Sequence, residues 1–276
     1  MNPARGAEAY RAMFAELELR GEGAFVPFVI LGDPDPDLSL ELVRSLARAG
    51  ADALELGIPF SDPIADGPVI QAAAARALAA GVTPTCCWAL VQRVREEFPA
   101  LPIGLLVYAN LAVHRDPADF YRVAANGGVD SVLVADAPVV EVDRLRLAAR
   151  DAGIAPVLIA PPNADRDRLR AIAERSEGYV YVVSRPGVTG ADDRLHNDSE
   201  RLFRTLEELG AAPGLLGFGV SRPEHVRGAL AMGAAGAISG SAVVAHIPRF
   251  DGRPAELLEA VAAFTREMKE ATRHRL

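Results

Sequence analysis

Lysine is nearly missing: of 29 basic residues in 276, only Lys269 is lysine, and it lies in the last helical stretch. A mechanism that forms a Schiff base in the body of the chain has no amine to use. Histidine is sparse, and His114, His196, His225, His246 and His274 lie far apart with none at ligand spacing from another. That argues against a zinc-dependent lyase and leaves no expected metal site. Cysteine is limited to Cys86 and Cys87; adjacent on one expected helix, they form no framework disulfide and read as small buried hydrophobes. The longest apolar runs are strand-sized and broken by Arg, Glu or Gly, so no transmembrane helix is expected. The opening MNPARGAEAYRAMF has no apolar signal-peptide core, which points to the cytoplasm. Net charge is -8, from 37 acids against 29 bases that form no block, which argues against nucleic acid and anionic membranes as partners.

What is present is apolar and alternating. Half of the residues are hydrophobic, and the length suits one α/β barrel of roughly 250 residues or two smaller domains. No Ser/Gly-rich or Pro-rich linker divides the pattern, so one domain over residues 1–276 is expected. Residues 7–20 place Tyr10, Met13, Phe14 and Leu17 at helical spacing, an amphipathic helix suited to lie under a barrel floor. Ala24–Leu31 is a continuous apolar strand, as in parallel sheets covered on both faces.

Helices are then expected at 38–49, 69–80, 85–97 (after a break at Gly81), 117–126, 139–152, 166–175, 200–209, 223–232 and 254–272. The strands between them are expected at 51–56, 103–108, 131–135, 156–159, 179–183, 215–217 and 236–239. Eight strands alternating with helices are the signature of a single (β/α)8 TIM barrel. A doubly wound sheet would also alternate, but it usually needs fewer strands and carries a glycine fingerprint after the first. Leu31-Gly32-Asp33-Pro34 offers one glycine there.

In a barrel the site forms at the carboxyl ends of the strands. The loop after the second strand belongs to LELGIPFSDPIADGPVIQ, Leu54–Gln71, with Glu55 near the strand end and Asp66 eleven residues later. Alternation points Glu55 into the mouth between Leu54 and Leu56, where desolvation raises a carboxyl towards a range useful for proton transfer. A salt bridge to a core arginine would explain it structurally, but no expected strand contains Arg. Asp66, in DGP, is equally well read as a turn former or helix cap, and Asp62 before Pro63 looks like an exposed turn. The loop after strand six, SRPGVTG (184–190) and onward to about Asp198, is long and carries two glycines, a candidate lid. After strands seven and eight come GFGVS (217–221) and SGSA (239–242), the latter opening a short apolar helix at Ser241. Glycines at neighbouring strand ends beside a helix N-terminus suit a phosphate dianion; read blandly, they are turn residues.

These stretches together resemble the tryptophan synthase alpha subunit family. The likeness runs through LELGIPFSDPIADGPVIQ, GAFVPFVILGDP, PIGLLVYANL, GVDSVLVADAPV, APVLIAPPNA, GYVYVVSRPGVTG, GFGVSRPEHV and AAGAISGSAVV, long motifs in the family's order. It implies a (β/α)8 barrel that cleaves indole-3-glycerol phosphate to indole and glyceraldehyde 3-phosphate by a retro-aldol step, with no metal or organic cofactor. The implied partner is a beta subunit in an alpha2-beta2 heterotetramer that consumes the indole.

Carried onto this chain, the resemblance makes Glu55 the acid/base at indole C3 and the glycerol hydroxyl, and Asp66 the partner of the indole N–H. Tyr181 corresponds to the family's active-site tyrosine; by its residue type alone it is an ordinary core aromatic. Phe28, Leu106, Tyr108, Leu133 and Ile159 would sandwich the indole, while Gly190, Gly219, Gly240 and Ser241 hold the phosphate. Thr189 would meet Asp66 as the loop closes, and Pro59, Asp62, Pro63, Asn110 and Pro138 would face the beta subunit.

Two departures stand out. Pro186 occupies a position where the family commonly has a small residue, which stiffens the loop. QAAAARAL after the acidic loop offers no polar contact from Ala72 or Ala74. A freestanding indole-releasing lyase, a non-catalytic indole- or phosphate-binding barrel and a phosphosugar isomerase are the alternatives; the isomerase leaves the large apolar pocket unexplained.

Overall fold

The computed structural model describes residues 3–114, 116–139, 142–183 and 193–273. Its strands are β1 (Ala24–Ile30), β2 (Leu54–Gly57), β3 (Ile103–Val107), β4 (Ser131–Val134), β5 (Ala155–Val157), β6 (Ile159–Ala160), β7 (Val180–Val182), β8 (Gly214–Gly217) and β9 (Gly236–Ser239). All neighbours pair in parallel, in the order β5-β4-β3-β2-β1-β9-β8-β7-β6. The two ends of that order, β5 and β6, are separated in the chain only by Leu158, so the ring closes through the chain itself.

The expected fifth strand at 156–159 is thus two short ones, and the barrel has eight positions filled by nine segments. The cause is local. Leu158 gives its N–H to Ser176 Oγ at 3.1 Å, leaving the ladder for one residue, while its carbonyl still accepts from Tyr181 N–H at 3.0 Å.

The helices are α1 (Ala7–Arg20), α2 (Pro36–Arg48), α3 (Pro68–Ala79), α4 (Pro84–Glu97), α5 (Ala109–Val113), α6 (Pro117–Gly127), α7 (Asp143–Asp151), α8 (Arg166–Arg175), α9 (Asp193–Glu208), α10 (Pro223–Ala231), α11 (Ser241–Val244), α12 (His246–Arg249) and α13 (Pro254–Glu270). Their starts follow capping chemistry: Asp35, Thr83, Asp116 and Asp165 each accept a hydrogen bond from a first-turn N–H. The break at Gly81 turns α4 by 103° from α3. Of the two cysteines on α4, Cys87 is fully buried, its thiol pushed up to about 12 by desolvation, and Cys86 is half-buried.

Four departures from the sequence reading are the largest. β2 starts at Leu54 instead of Ala51, because Asp52 turns aside to accept Phe25 N–H at 2.7 Å and to pair with Lys269 at 3.0 Å. α5 is an additional turn, whose first N–H, at Ala109, is taken by Asp136 at 2.6 Å. Of the helix expected at 139–152, the described residues form Asp143–Asp151. α9 begins at Asp193, inside the stretch read as loop: its polar composition masks the helical spacing of Leu195, Leu202 and Leu206.

α1 lies under the barrel as expected and sends Tyr10 into it. Tyr10 is buried, shares a hydrogen bond with Ser131 Oγ at 2.8 Å, and packs its ring 5.3 Å from that of Tyr179. Beside this plug Asp130 gathers the N-terminal ends of the strands. It accepts from Ile103 N–H at 2.9 Å and Gly6 N–H at 3.0 Å, and pairs with Arg95 at 2.6 Å. Removing the acid strands a mostly buried guanidinium, a loss on the order of 3 kcal/mol. Asp130→Ala should therefore lower unfolding free energy in urea by about that amount; a change below about 1 kcal/mol would show that the cluster contributes little.

Candidate active site

Strand pairing brings the sequence candidates to one end of the barrel. Glu55 is in register with Phe28 on one side and Gly104 on the other; two residues further on, Gly57 aligns with Leu106 and Leu106 with Leu133. Across the bore Ile159 aligns with Tyr181 and Tyr181 with Leu215. Inward positions recur every second residue, so one apolar wall and one acid share a single layer system.

Glu55 is 1% exposed. Its Oε1 accepts a 2.7 Å hydrogen bond from the Tyr179 hydroxyl, and its buried Oε2 has no partner. No cation pairs with it among the described residues, so the salt-bridge reading fails. Burial pushes its carboxyl up to about 7, against a smaller lowering by the Tyr179 bond. Tyr179 itself, raised well above its ordinary range by burial, stays protonated and remains a donor. Sequence reasoning passed over this residue. The signal was there: Tyr179 and Tyr181 are two apart in the strand expected at 179–183, a spacing that puts them on one face.

Tyr181 lies flat against β8. A Cβ at Gly217 would stand 2.3 Å from Tyr181 Cζ and 2.6 Å from its hydroxyl, so only glycine leaves room for the ring. Burial, followed by the charges of Glu55 and Asp66, drives this hydroxyl well up, so it stays protonated.

Asp66 is half-buried, and desolvation raises its pKa while a hydrogen bond from Tyr108 lowers it. The same Tyr108 hydroxyl accepts from Ala65 N–H at 3.1 Å, and Phe60 stacks on the Tyr108 ring at 5.2 Å. The capping position of α3 belongs to Gly67, with no side-chain bond, which removes the helix-cap reading of Asp66. It does close a turn, through its N–H to Pro63 O at 3.1 Å.

Phe28 and Leu133 are buried, Leu106 and Ile159 half-buried. Phe28 packs against both Gly57 and Gly240, and so connects the acid-bearing strand to the end of β9. There the Ser239 hydroxyl donates to Val220 O at 2.7 Å, tying the β8 and β9 loops together. Gly219 adopts φ +74°, and a Cβ built there meets nothing within 4 Å, so its turn is open on that side. Gly240 precedes α11 and exposed Ser241 opens it. Phe218, 49% exposed between Gly217 and Gly219, is a second residue the sequence reading missed. Gly190, Thr189 and Pro186 lie outside the described residues. Of the surface candidates, Asp62, Asn110 and Pro138 are exposed and Pro63 half-buried, while Pro59 is buried and presents little to a partner.

Similarity to known proteins is consistent across three comparisons. The family model described as tryptophan synthase alpha chain matches residues 14–273. Tryptophan synthase alpha chains of Serratia proteamaculans and Yersinia enterocolitica are 54% and 55% identical over 266 residues, covering 96% of this chain and 99% of each relative. Among solved structures, tryptophan synthase subunit alpha of Legionella pneumophila superposes with a TM-score of 0.86 at 28% identity, covering 96% of this chain and 98% of that one. A chain of the Pyrococcus furiosus tryptophan synthase complex gives 0.81 at 35%, covering 90% and 98%.

The raised pKa of Glu55 has a stability consequence. Folded Glu55 holds its proton to about pH 7, whereas an unfolded glutamate loses it near ~4.3. Stability is therefore full below the unfolded value and falls as pH rises through the folded one, by about 4 kcal/mol in all. Glu55→Gln lacks this decline. Urea unfolding at pH 4 and pH 8 should show the variant gaining roughly 3 to 4 kcal/mol on the wild type between the two; parallel pH profiles would mean that Glu55 ionises normally.

Proposed function

Because the chain belongs to the tryptophan synthase alpha chain family, we propose that Glu55 and Asp66 carry the family's reaction here. The reaction is the retro-aldol cleavage of indole-3-glycerol phosphate to indole and glyceraldehyde 3-phosphate, and the enzyme is a carbon–carbon lyase of tryptophan biosynthesis. Its partner is a beta subunit in an alpha2-beta2 complex, to which the indole passes.

The observation that carries the assignment of roles is the buried carboxyl of Glu55, poised at about 7 with one oxygen unengaged. Such a group is both an adequate acid and an adequate base near neutrality. In the protonated form Glu55 delivers its proton to indole C3, and the ring nitrogen becomes cationic. The Asp66 carboxylate accepts a hydrogen bond from that N–H and stabilises the charge. Glu55, now a carboxylate, takes the proton from the hydroxyl next to C3. The C–C bond breaks, its electron pair returns to the ring, indole leaves, and the aldehyde of glyceraldehyde 3-phosphate forms. Glu55 ends as it began, protonated.

Tyr181 orders this region between the two acids, and Tyr179 holds Glu55 by one oxygen. Phe28, Leu106, Tyr108, Leu133 and Ile159 hold the flat ring in a dry slot. Gly190, Gly219, Gly240 and Ser241 bind the phosphate through backbone N–H groups at loop ends and a helix start. Thr189 meets Asp66 when the strand-six loop closes, a motion that Pro186 slows. The partner-facing surface comprises Asp62, Pro63, Asn110 and Pro138 together with the 82%-exposed Ile64, and includes the buried Pro59 in the same loop. The chain acts as one domain over residues 1–276, in the cytoplasm. No single helix among the described residues is long and apolar enough to cross a membrane.

Wild-type protein mixed with indole-3-glycerol phosphate and a beta subunit should release indole, with Asp66→Asn about 100-fold slower and Glu55→Gln slower still, at about 1,000-fold or more. Full turnover by Glu55→Gln would remove that residue from the proton chemistry.

A further inference from the structure

His225 takes no part in the proton chemistry, yet it is 92% withdrawn from solvent, at 8% exposure, in the first turn of α10 directly behind the Gly217–Ser221 loop. Its Nδ1 lies 2.8 Å from the carbonyl oxygen of Gly219 and 3.2 Å from Ser221 N. Its Nε2 lies 3.2 Å from Arg222 Nη2 and 3.4 Å from Arg222 Nε. One ring nitrogen cannot donate and accept at once. The nearer neighbour of Nδ1 is a carbonyl oxygen, which only accepts, so Nδ1 carries the proton; Nε2 faces a guanidinium, which only donates, so Nε2 is bare. These contacts define one tautomer of the imidazole, fixed by Gly219 on one side and Arg222 on the other.

The hold on that carbonyl sets the geometry of the turn. In a planar trans peptide the C=O and the following N–H point in opposite directions, so fixing the Gly219 oxygen towards His225 aims Val220 N–H away from α10. The next peptide is fixed as well, by Ser239 Oγ on Val220 O at 2.7 Å. Gly219 itself, at φ +74° with nothing within 4 Å of a Cβ, has no side chain and no neighbour on that side to define it. A glycine turn with that freedom binds an anion well only if its N–H groups are already aimed before the ligand arrives.

We propose that His225 is a positioning residue for the phosphate-binding turn, acting through its bond to the Gly219 carbonyl. The inference rests on the reading of Gly219 and Ser241 as phosphate contacts. The phosphate is remote from the bond that breaks, so loss of aim weakens substrate and transition state alike: KM rises and kcat holds.

The experiment uses the full chain with a beta subunit, reading kcat and KM for indole-3-glycerol phosphate and the affinity of inorganic phosphate by calorimetry. His225→Leu should raise KM and weaken phosphate binding about 10-fold with kcat within about two-fold of wild type. His225→Asn, whose amide nitrogen stands where Nδ1 stands, should recover most of that loss. Ser241→Asp, which sets a negative charge at the phosphate position, should abolish phosphate binding. If His225→Leu matches wild type while Ser241→Asp loses phosphate, the role of His225 is overturned and the phosphate site stands. If Ser241→Asp also binds phosphate normally, the site reading fails and the inference with it. Equal losses of kcat in the Leu and Asn variants would mark a merely structural residue and overturn the proposal. Nitrogen-15 spectra of the wild type test it without any variant: a proton on Nδ1 supports it, and a proton on Nε2 overturns it.

Discussion

A carboxyl group shut inside a closed parallel barrel has no water to ionise into, and Glu55 is given a single hydrogen-bond donor in place of it. That shortage is what the site depends on. An arginine at this point would pull the pKa down and leave a permanently charged, weakly basic carboxylate. One tyrosine hydroxyl does less: it orients Oε1, leaves Oε2 unengaged, and lets desolvation keep the proton exchangeable near neutrality. The donor is itself fixed from below, because the Tyr179 ring packs on Tyr10, and Tyr10 is anchored to Ser131. The helix beneath the barrel therefore reaches Glu55 through two aromatic rings, which bury the acid from below.

The opposite end of the proposed substrate site is built on different physics. At the ends of β8 and β9 the chain offers backbone and little side chain, and its order comes from outside the turn, from Ser239 and His225. Phe28 joins the two ends by packing on Gly57 beneath the acidic loop and on Gly240 beside the phosphate turn. The proposed binding and reacting groups thus share one packing neighbour on β1, which favours fixed spacing over adaptability.

Much of this was legible in the amino acids. Eight alternations of strand and helix are set by apolar periodicity, and the same period of two turns Glu55 inward without any knowledge of its neighbours. The break in the fifth strand was not legible, since it depends on Ser176, eighteen residues beyond Leu158, taking one amide from the ladder. The early start of α9 was hidden by a polar run whose leucines recur at helical spacing. Asp66 stayed ambiguous because Asp-Gly-Pro suits a turn in any protein; its contact with Tyr108, forty-two residues on, is a property of the fold. Tyr179 and Tyr181 are equivalent in sequence pattern, and only the registry of the barrel decides that the first holds Glu55 and the second lies across Gly217.

The central claim is that Glu55 titrates near neutrality in the folded protein, and the direct measurement is the carbon-13 carboxyl resonance of Glu55 followed from pH 4 to pH 9, assigned by its absence in Glu55→Gln. A midpoint at about 7 agrees with the buried, singly bonded carboxyl. A midpoint near ~4.3, the value of a solvated glutamate, would contradict it and leave the barrel without its acid.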